Sequence, residues 1–145
     1  MQVFIIGSPL ETAKILDKRR LNKQIIECNQ ILNVLYGKSI SWKNHPAVLQ
    51  YKNDIEWIKR YTMCLMSYRE GDIQNALKYN YHANLYIPKW HSNEYYVQMK
   101  RRLYTKNPNY YKDFEKYGTS DVNWYWSNTE NKFIKYHNGK KINNT

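Results

Sequence analysis

The sequence has no long apolar run. No stretch approaches the roughly 18 apolar residues that a membrane-spanning helix needs. Residues 1–6 are mostly apolar, but no basic residue precedes them and no small-residue cleavage site follows, so they are not typical of a secretory signal peptide. We therefore expect a cytoplasmic protein with no membrane partner.

Cysteine, proline and glycine are also scarce, with two, four and five residues respectively. Cys28 and Cys64 fall on apolar helical faces, which favours two reduced core thiols over a disulfide. The glycines form no phosphate-binding loop, and the four histidines are scattered without metal-ligand spacing. We therefore expect neither a metal nor a cofactor.

Acidic residues are few as well: 12 Asp and Glu stand against 23 Lys and Arg, which gives a net charge of +11. Residues 98–118 hold six basic and two acidic residues, and residues 127–145 hold four basic and one acidic residue, so these two segments carry +7 of that charge. A domain this basic usually binds an anion, nucleic acid first of all, although a basic surface can also serve solubility. The last third of the chain is the predicted electrostatic footprint.

Phenylalanine is rare, with three residues, whereas there are 15 Tyr and five Trp. Tyr and Trp rings suit base stacking and wet interfaces, but the codons of an AT-rich genome also raise the content of Tyr, Lys, Asn and Ile. Tyr111, Trp124 and Trp126 lie in or beside the basic segments. We keep two alternatives for each of them, a stacking platform for nucleic acid and ordinary core packing.

Periodicity and capping signals predict a compact all-α bundle. Ser8-Pro9 begins a short helix, and Asp17 caps a long amphipathic helix that ends at Gly37. The inward face of this second helix is formed by Leu21, Ile25, Cys28, Leu32 and Leu35. Pro46 begins a third long helix that runs to Gly71, and further helices follow Asp72 and Ser92. The third helix has an inward face of Val48, Tyr51, Ile55, Ile58 and Leu65.

The C-terminal segment is rich in aromatic residues and is the least regular part of the pattern. Residues 124–126 and 133–136 are compatible with a hairpin, and Asn138-Gly139 marks a turn. We divide the chain into a helical domain at residues 1–126 and a basic C-terminal extension at residues 127–145.

The second helix carries a polar constellation. At 100° per residue, Arg20, Gln24 and Glu27 lie within roughly 60° of one another, with Lys23 beside them at the edge of the apolar stripe. One interpretation is a solvated face with an ordinary Lys23–Glu27 pair. The other is a cleft, because a carboxylate among cations suits a site that stabilises developing positive charge or moves a proton. His45 lies in the loop after this helix, where a cleft residue is expected.

Three blocks of residues then stand out. They are Leu16-Asp17-x-x-Arg20-Leu21-x-Lys23-Gln24-x-x-Glu27 with Gln30-Ile31-Leu32, Trp42-Lys43-Asn44-His45-Pro46-Ala47-Val48, and Leu103-Tyr104-x-Lys106-x-Pro108-x-Tyr110-Tyr111 followed by Tyr125-Trp126. Together, over about residues 1–126, they resemble the pyrimidine-dimer DNA glycosylase family, in its bacterial branch more than in its phage-type enzyme.

The resemblance implies an all-α domain that acts on damaged DNA. Family enzymes attack the sugar C1′ with the N-terminal α-amine, and the resulting imine allows strand cleavage by β-elimination. The helix glutamate of the motif is Glu27. Because Gln2 is too large for efficient removal of the preceding methionine, the nucleophile is expected to be the α-amine of Met1.

The predicted DNA- or nucleotide-binding residues surround this pair in the motif and in the basic segments. They are Arg19, Arg20, Lys23, Gln24, Asn44, His45, Lys100, Arg101, Arg102, Lys106, Tyr111, Trp124 and Trp126.

Two functions remain open from the sequence. The first is a glycosylase and abasic-site lyase whose partner is a damaged DNA duplex. The second is an inactive relative in which the same residues bind or sequester a nucleotide or cyclic nucleotide signal, as in a viral or phage protein directed against host defence. The oligomeric state stays undetermined.

Overall fold

The fold is mostly helical, with a small sheet near the C-terminal end. The computed structural model describes residues 1–142. Its elements are α1 (Pro9–Ile15), α2 (Lys18–Leu35), α3 (Pro46–Leu49), α4 (Ile55–Arg69), α5 (Ile73–Ala83), α6 (Asn93–Lys106), a 3-10 helix (Lys112–Tyr117), β1 (Asn123–Ser127), β2 (Lys132–His137) and β3 (Lys140–Lys141). Within residues 1–142, no helix combines the length and the apolarity needed to span a membrane.

The predicted helix starts are confirmed. Ser8, Asp17 and Ser92 each accept a hydrogen bond from the backbone N–H three residues later, at the N-termini of α1, α2 and α6. Such caps satisfy donors that have no partner within the helix. Asp72 caps α5 in the same way.

The predicted third long helix is wrong, since the chain forms two helices there, α3 and α4. Between them, Gln50 and Tyr51 turn into the core and are fully buried. The ring of Tyr51 stacks on that of Trp57, with centroids 5.4 Å apart, and Gln50 Oε1 accepts a hydrogen bond from the backbone N–H of Trp126 at 3.2 Å. The buried residues Val48, Tyr51, Ile58 and Leu65 keep a helix-like spacing across the break, so periodicity alone does not reveal it.

The all-α prediction is wrong for the C-terminal segment, where the hairpin alternative is confirmed. Strands β1 and β2 pair antiparallel, with Trp124 opposite Lys135 and Trp126 opposite Phe133. Strand β3 joins the other edge of β2, so the sheet order is β1-β2-β3. Asn138-Gly139 forms the turn with positive φ angles of 49° and 76°. Strand β1 runs through residues 126 and 127, on both sides of the predicted domain boundary.

The N-terminal segment lies in the centre of the core, where residues 2–6 are all buried. It belongs to no helix or strand, and side chains from the surrounding helices form hydrogen bonds with several of its backbone groups. The hydroxyl of Tyr95 on α6 donates to the carbonyl of Val3 at 3.3 Å, and the hydroxyl of Tyr61 on α4 donates to the carbonyl of Phe4. These bonds offset the desolvation of a buried irregular backbone.

Helix α2 offers a direct test of core packing. In its last turns Ile31 is fully buried, whereas Leu32, which the periodicity places on the inward face, is only partly buried. We expect Ile31→Ala to reduce the free energy of unfolding by roughly 2–5 kcal/mol, and Leu32→Ala to reduce it less. The exposed Ile26 on the same helix is the control, with an expected change within about 0.5 kcal/mol. Chemical denaturation measures all three, and a larger effect at Leu32 than at Ile31 would contradict this packing.

Candidate functional site

One buried glutamine positions the start of the chain. The Gln24 side chain on α2 donates through Nε2 to the carbonyl of Gln2 at 2.9 Å, and its Oε1 accepts from the backbone N–H of Phe4. Gln24 is 2% exposed, and its side-chain amide is engaged in these contacts with the backbone. Gln24 is predicted among the ligand-binding residues, whereas its side chain here supports the N-terminal segment.

The N-terminal segment ends beside Glu27. The backbone N–H of Gln2 donates to Glu27 Oε2 at 3.1 Å, and the hydroxyl of Tyr125 donates to the carbonyl of Met1 at 2.8 Å. Burial raises the pKa of Tyr125 to about 12, so this hydroxyl keeps its proton and acts as a donor. Met1 and Glu27 are thereby brought to the same cleft.

This cleft has a volume of about 70 Å³ and combines residues from four parts of the chain. We call it the N-terminal cleft. It is lined by Met1, Gln2, Phe4, Arg20, Lys23, Glu27, Arg102, Lys106 and Asn123.

The N-terminal cleft is strongly cationic. Four basic side chains line it against the single carboxylate of Glu27, with Arg20 and Lys23 on α2 and Arg102 and Lys106 on α6. Lys23 Nζ lies 3.9 Å from Glu27 Oε1. Burial, followed by the charges of nearby Arg102 and Arg20, lowers the pKa of Lys106. Such a cluster attracts a phosphate backbone.

Three buried polar atoms around the cleft have no hydrogen-bond partner within the described residues. They are Gln2 Oε1, Arg102 Nε and Asn123 Oδ1. Buried polar atoms are usually paired with protein or ordered water. The site therefore contains two unpaired hydrogen-bond acceptors and one unpaired donor in addition to its charged groups.

His45, predicted as a cleft residue, is not among the lining residues of the N-terminal cleft, but it contacts Tyr125, which holds the carbonyl of Met1. Its Nδ1 accepts the N–H of Ala47 at 3.0 Å and so caps α3, while its ring meets the ring of Tyr125 edge-on at 5.9 Å. Burial and, second, the positive charge of the chain's N-terminus lower the pKa of His45. His45 is therefore a neutral neighbour of the Met1 amine at neutral pH.

The remaining basic residues of the prediction divide into two groups. Arg102 and Lys106 line the N-terminal cleft, and Arg102 Nη1 also donates to the carbonyl of Ser120 at 2.9 Å. Three others lie outside the lining residues of the cleft. Arg19 is exposed on α2, Lys100 packs over the Tyr117 ring at 5.0 Å, and Arg101 Nε donates to the carbonyl of Tyr117 at 2.7 Å.

The three aromatic candidates also differ. Tyr111 and Trp124 are buried, and the hydroxyl of Tyr111 donates to the carboxylate of Asp17. Both rings therefore pack in the core, which agrees with the second alternative for these residues. Trp126 is partly exposed and lines, with Asn44, a second cavity of about 260 Å³ between α3 and the hairpin.

Sequence reasoning missed Tyr125, Asn123 and Gln2 as site residues. Tyr125 belongs to the third motif block, but nothing in local spacing puts residue 125 next to residue 1. The motif predicts the N-terminal α-amine as a site group, and the hydrogen bonds of the Met1 carbonyl and the Gln2 N–H hold the first peptide unit beside Glu27. Within residues 1–142, no group of three His, Cys, Asp or Glu side chains converges as metal ligands would.

Comparison with known proteins agrees with the motif blocks in the first half of the chain. Neither a curated protein nor a solved structure matches the chain significantly. The sequence model described as pyrimidine dimer DNA glycosylase matches residues 1–69, which include Met1, Gln24, Glu27 and His45. Over these 69 residues, just under half of the chain, the protein is similar to the pyrimidine dimer DNA glycosylase family.

Proposed function

We propose that the protein is a DNA glycosylase and abasic-site lyase that acts on pyrimidine dimers or related lesions, with the α-amine of Met1 as nucleophile and Glu27 as its acid–base partner. The observation that carries the proposal is the 3.1 Å hydrogen bond from the Gln2 N–H to Glu27 Oε2. It holds the first peptide unit of the chain against the only carboxylate among the lining residues of the N-terminal cleft.

In the proposed reaction, the deprotonated amine attacks C1′ and the bond from C1′ to the base breaks, with the electron pair leaving on the base. The sugar ring opens as the C1′–O4′ bond breaks, which leaves an imine between Met1 and C1′. Loss of a proton from C2′ then expels the 3′ phosphate by β-elimination, and water hydrolyses the imine. Glu27 accepts the proton of the attacking amine and stabilises the cationic sugar.

The dimensions of the cleft favour this reaction over nucleotide sequestration. Its volume of about 70 Å³ is small, so the cleft encloses only a small part of any nucleotide that contacts it. A strand that lies across the basic surface needs to bring only one sugar carbon to the amine. The four cleft cations then contact the phosphates on either side.

Borohydride trapping tests the nucleophile directly, because reduction of an imine leaves a covalent protein–DNA adduct. With a free Met1 amine, verified by mass spectrometry, we expect an adduct on duplex DNA containing a pyrimidine dimer or an abasic site. Selective acetylation of the α-amine should abolish it. Undiminished trapping after acetylation would assign the nucleophile to a lysine instead.

Glu27→Gln separates an acid–base role from a binding role. The amide keeps the size and a hydrogen-bond acceptor for the Gln2 N–H, but it cannot take up a proton. We expect cleavage of damaged duplex to fall by at least about 100-fold, while DNA affinity stays equal or rises because a negative charge near the phosphates is removed.

The matched control is Glu56→Gln, which removes the carboxylate of another i,i+4 ion pair, with Arg60 on α4. This control variant should change neither the cleavage of damaged duplex nor the DNA affinity. If Glu27→Gln instead weakened the binding of a nucleotide and the wild type cleaved no damaged DNA, the nucleotide-binding alternative would replace the proposal.

The basic residues that line the N-terminal cleft should make DNA affinity more dependent on salt concentration. Each phosphate contact contributes about 0.9 to the slope of log K against log salt concentration. The double variant Lys23→Gln/Lys106→Gln should therefore reduce the slope by about 2. Lys78 and Lys89 lie outside the lining residues of the cleft, and the matching double variant there should leave the slope within about 0.5. Equal slopes for both double variants would put the phosphate contacts elsewhere.

A further inference from the structure

The loop that joins α2 to α3 presents two large apolar side chains to solvent. Ile40 is 84% exposed and Trp42 is 56% exposed. A contiguous exposed apolar patch marks an interaction surface, whereas single exposed apolar side chains are ordinary. Neither residue belongs to the buried core of the described structure.

The backbone of Trp42 is held in the left-handed region, with φ of 67°. Within residues 1–142, the other non-glycine residues with positive φ are Asn131 and Asn138, and asparagine adopts this region far more readily than tryptophan does. A glycine at position 42 would relieve the strain. A strained backbone that carries an exposed ring is typical of a functional position.

A continuous series of contacts connects this loop to the N-terminal cleft. The ring of Trp42 meets the ring of His45 edge-on at 5.7 Å, and His45 meets Tyr125 in the same way at 5.9 Å. Tyr125 in turn holds the carbonyl of Met1 through its hydroxyl, at 2.8 Å. The exposed ring is therefore two side chains away from the residue that carries the amine.

The charge around the loop indicates the kind of partner. No Asp or Glu occurs between Glu27 and Asp54, whereas Lys38, Lys43 and Lys52 do. Lys38 and Lys43 are exposed on either side of the apolar pair. A surface with exposed aromatic and apolar groups between lysines fits nucleic acid, because rings stack on bases while lysines contact the phosphates.

We propose that Trp42, with Ile40 beside it, inserts into the DNA duplex next to the lesion as a wedge and separates the neighbouring bases. The inference rests on the proposed function and adds a positioning residue to it. Insertion kinks and opens the duplex, which brings C1′ of the damaged nucleotide within reach of the amine of Met1, a lining residue of the N-terminal cleft. Trp42 takes no part in the bond-breaking steps.

The test compares Trp42→Gly with Trp42→Phe on duplex and single-stranded DNA that carry the same abasic site. Glycine suits the left-handed backbone, so the variant should keep or raise the melting temperature. Because a single strand needs no opening, we expect Trp42→Gly to slow borohydride trapping on the duplex by at least about 10-fold and on the single strand by less than about 2-fold. Trp42→Phe keeps a ring and should stay within about 3-fold of the wild type on both.

A second measurement reports the wedge without catalysis. A 2-aminopurine base next to the abasic site should become more fluorescent when the wild type binds the duplex, because it is unstacked, and should remain dim with Trp42→Gly. Tyr81→Ala is the matched control, since Tyr81 is 64% exposed on α5 and is not among the lining residues of the cleft. This variant should behave as the wild type does.

The two proposals fail in different ways. No adduct with the wild type on either DNA, together with a fluorescence increase that depends on Trp42, would reject the lyase and keep the wedge. Normal duplex trapping by Trp42→Gly, an equal loss on both DNAs, or no fluorescence change with the wild type would each reject the wedge.

Discussion

The hydrogen bonds between the Gln24 side chain and the N-terminal segment are the interaction on which the site depends. Residues 2–6 are buried in the core without forming a helix or strand, so their backbone groups need partners from side chains. Gln24 supplies both a donor and an acceptor, to Gln2 and Phe4. Because Gln24 and Glu27 lie one turn apart on α2, the same helix that anchors the segment also presents the carboxylate to its first peptide unit.

A second constraint is electrostatic. A carboxylate near a DNA backbone repels it, and the N-terminal cleft compensates with four cations from two helices. Lys106 shows the repulsion among them, since burial and the neighbouring charges lower its pKa. In the proposed reaction, the net positive charge of the cleft would contact phosphates, and its one carboxylate, that of Glu27, would stabilise a developing cation.

The C-terminal hairpin completes the site rather than extending the domain. Tyr125 on β1 reaches both Met1 and His45, and Asn123 on the same strand lines the cleft. Trp126 stacks parallel to Trp90, with centroids 6.2 Å apart, and so ties the strand to the helical part. The high Tyr and Trp content of the sequence therefore serves packing and positioning to a large extent, as Tyr111 and Trp124 also show.

The sequence by itself determined the mostly helical fold, the helix starts at Ser8, Asp17 and Ser92, and the position of Glu27 one turn from Lys23 on α2, because these follow from local capping and periodicity, while the hairpin was one compatible alternative. Tertiary structure alone decided the break before α4, where burial of Gln50 and Tyr51 outweighs a continuous apolar pattern. It also decided that Gln24 faces inward and that residue 125 meets residue 1. Contacts between residues far apart in the chain depend on how the elements pack, and no local pattern encodes them.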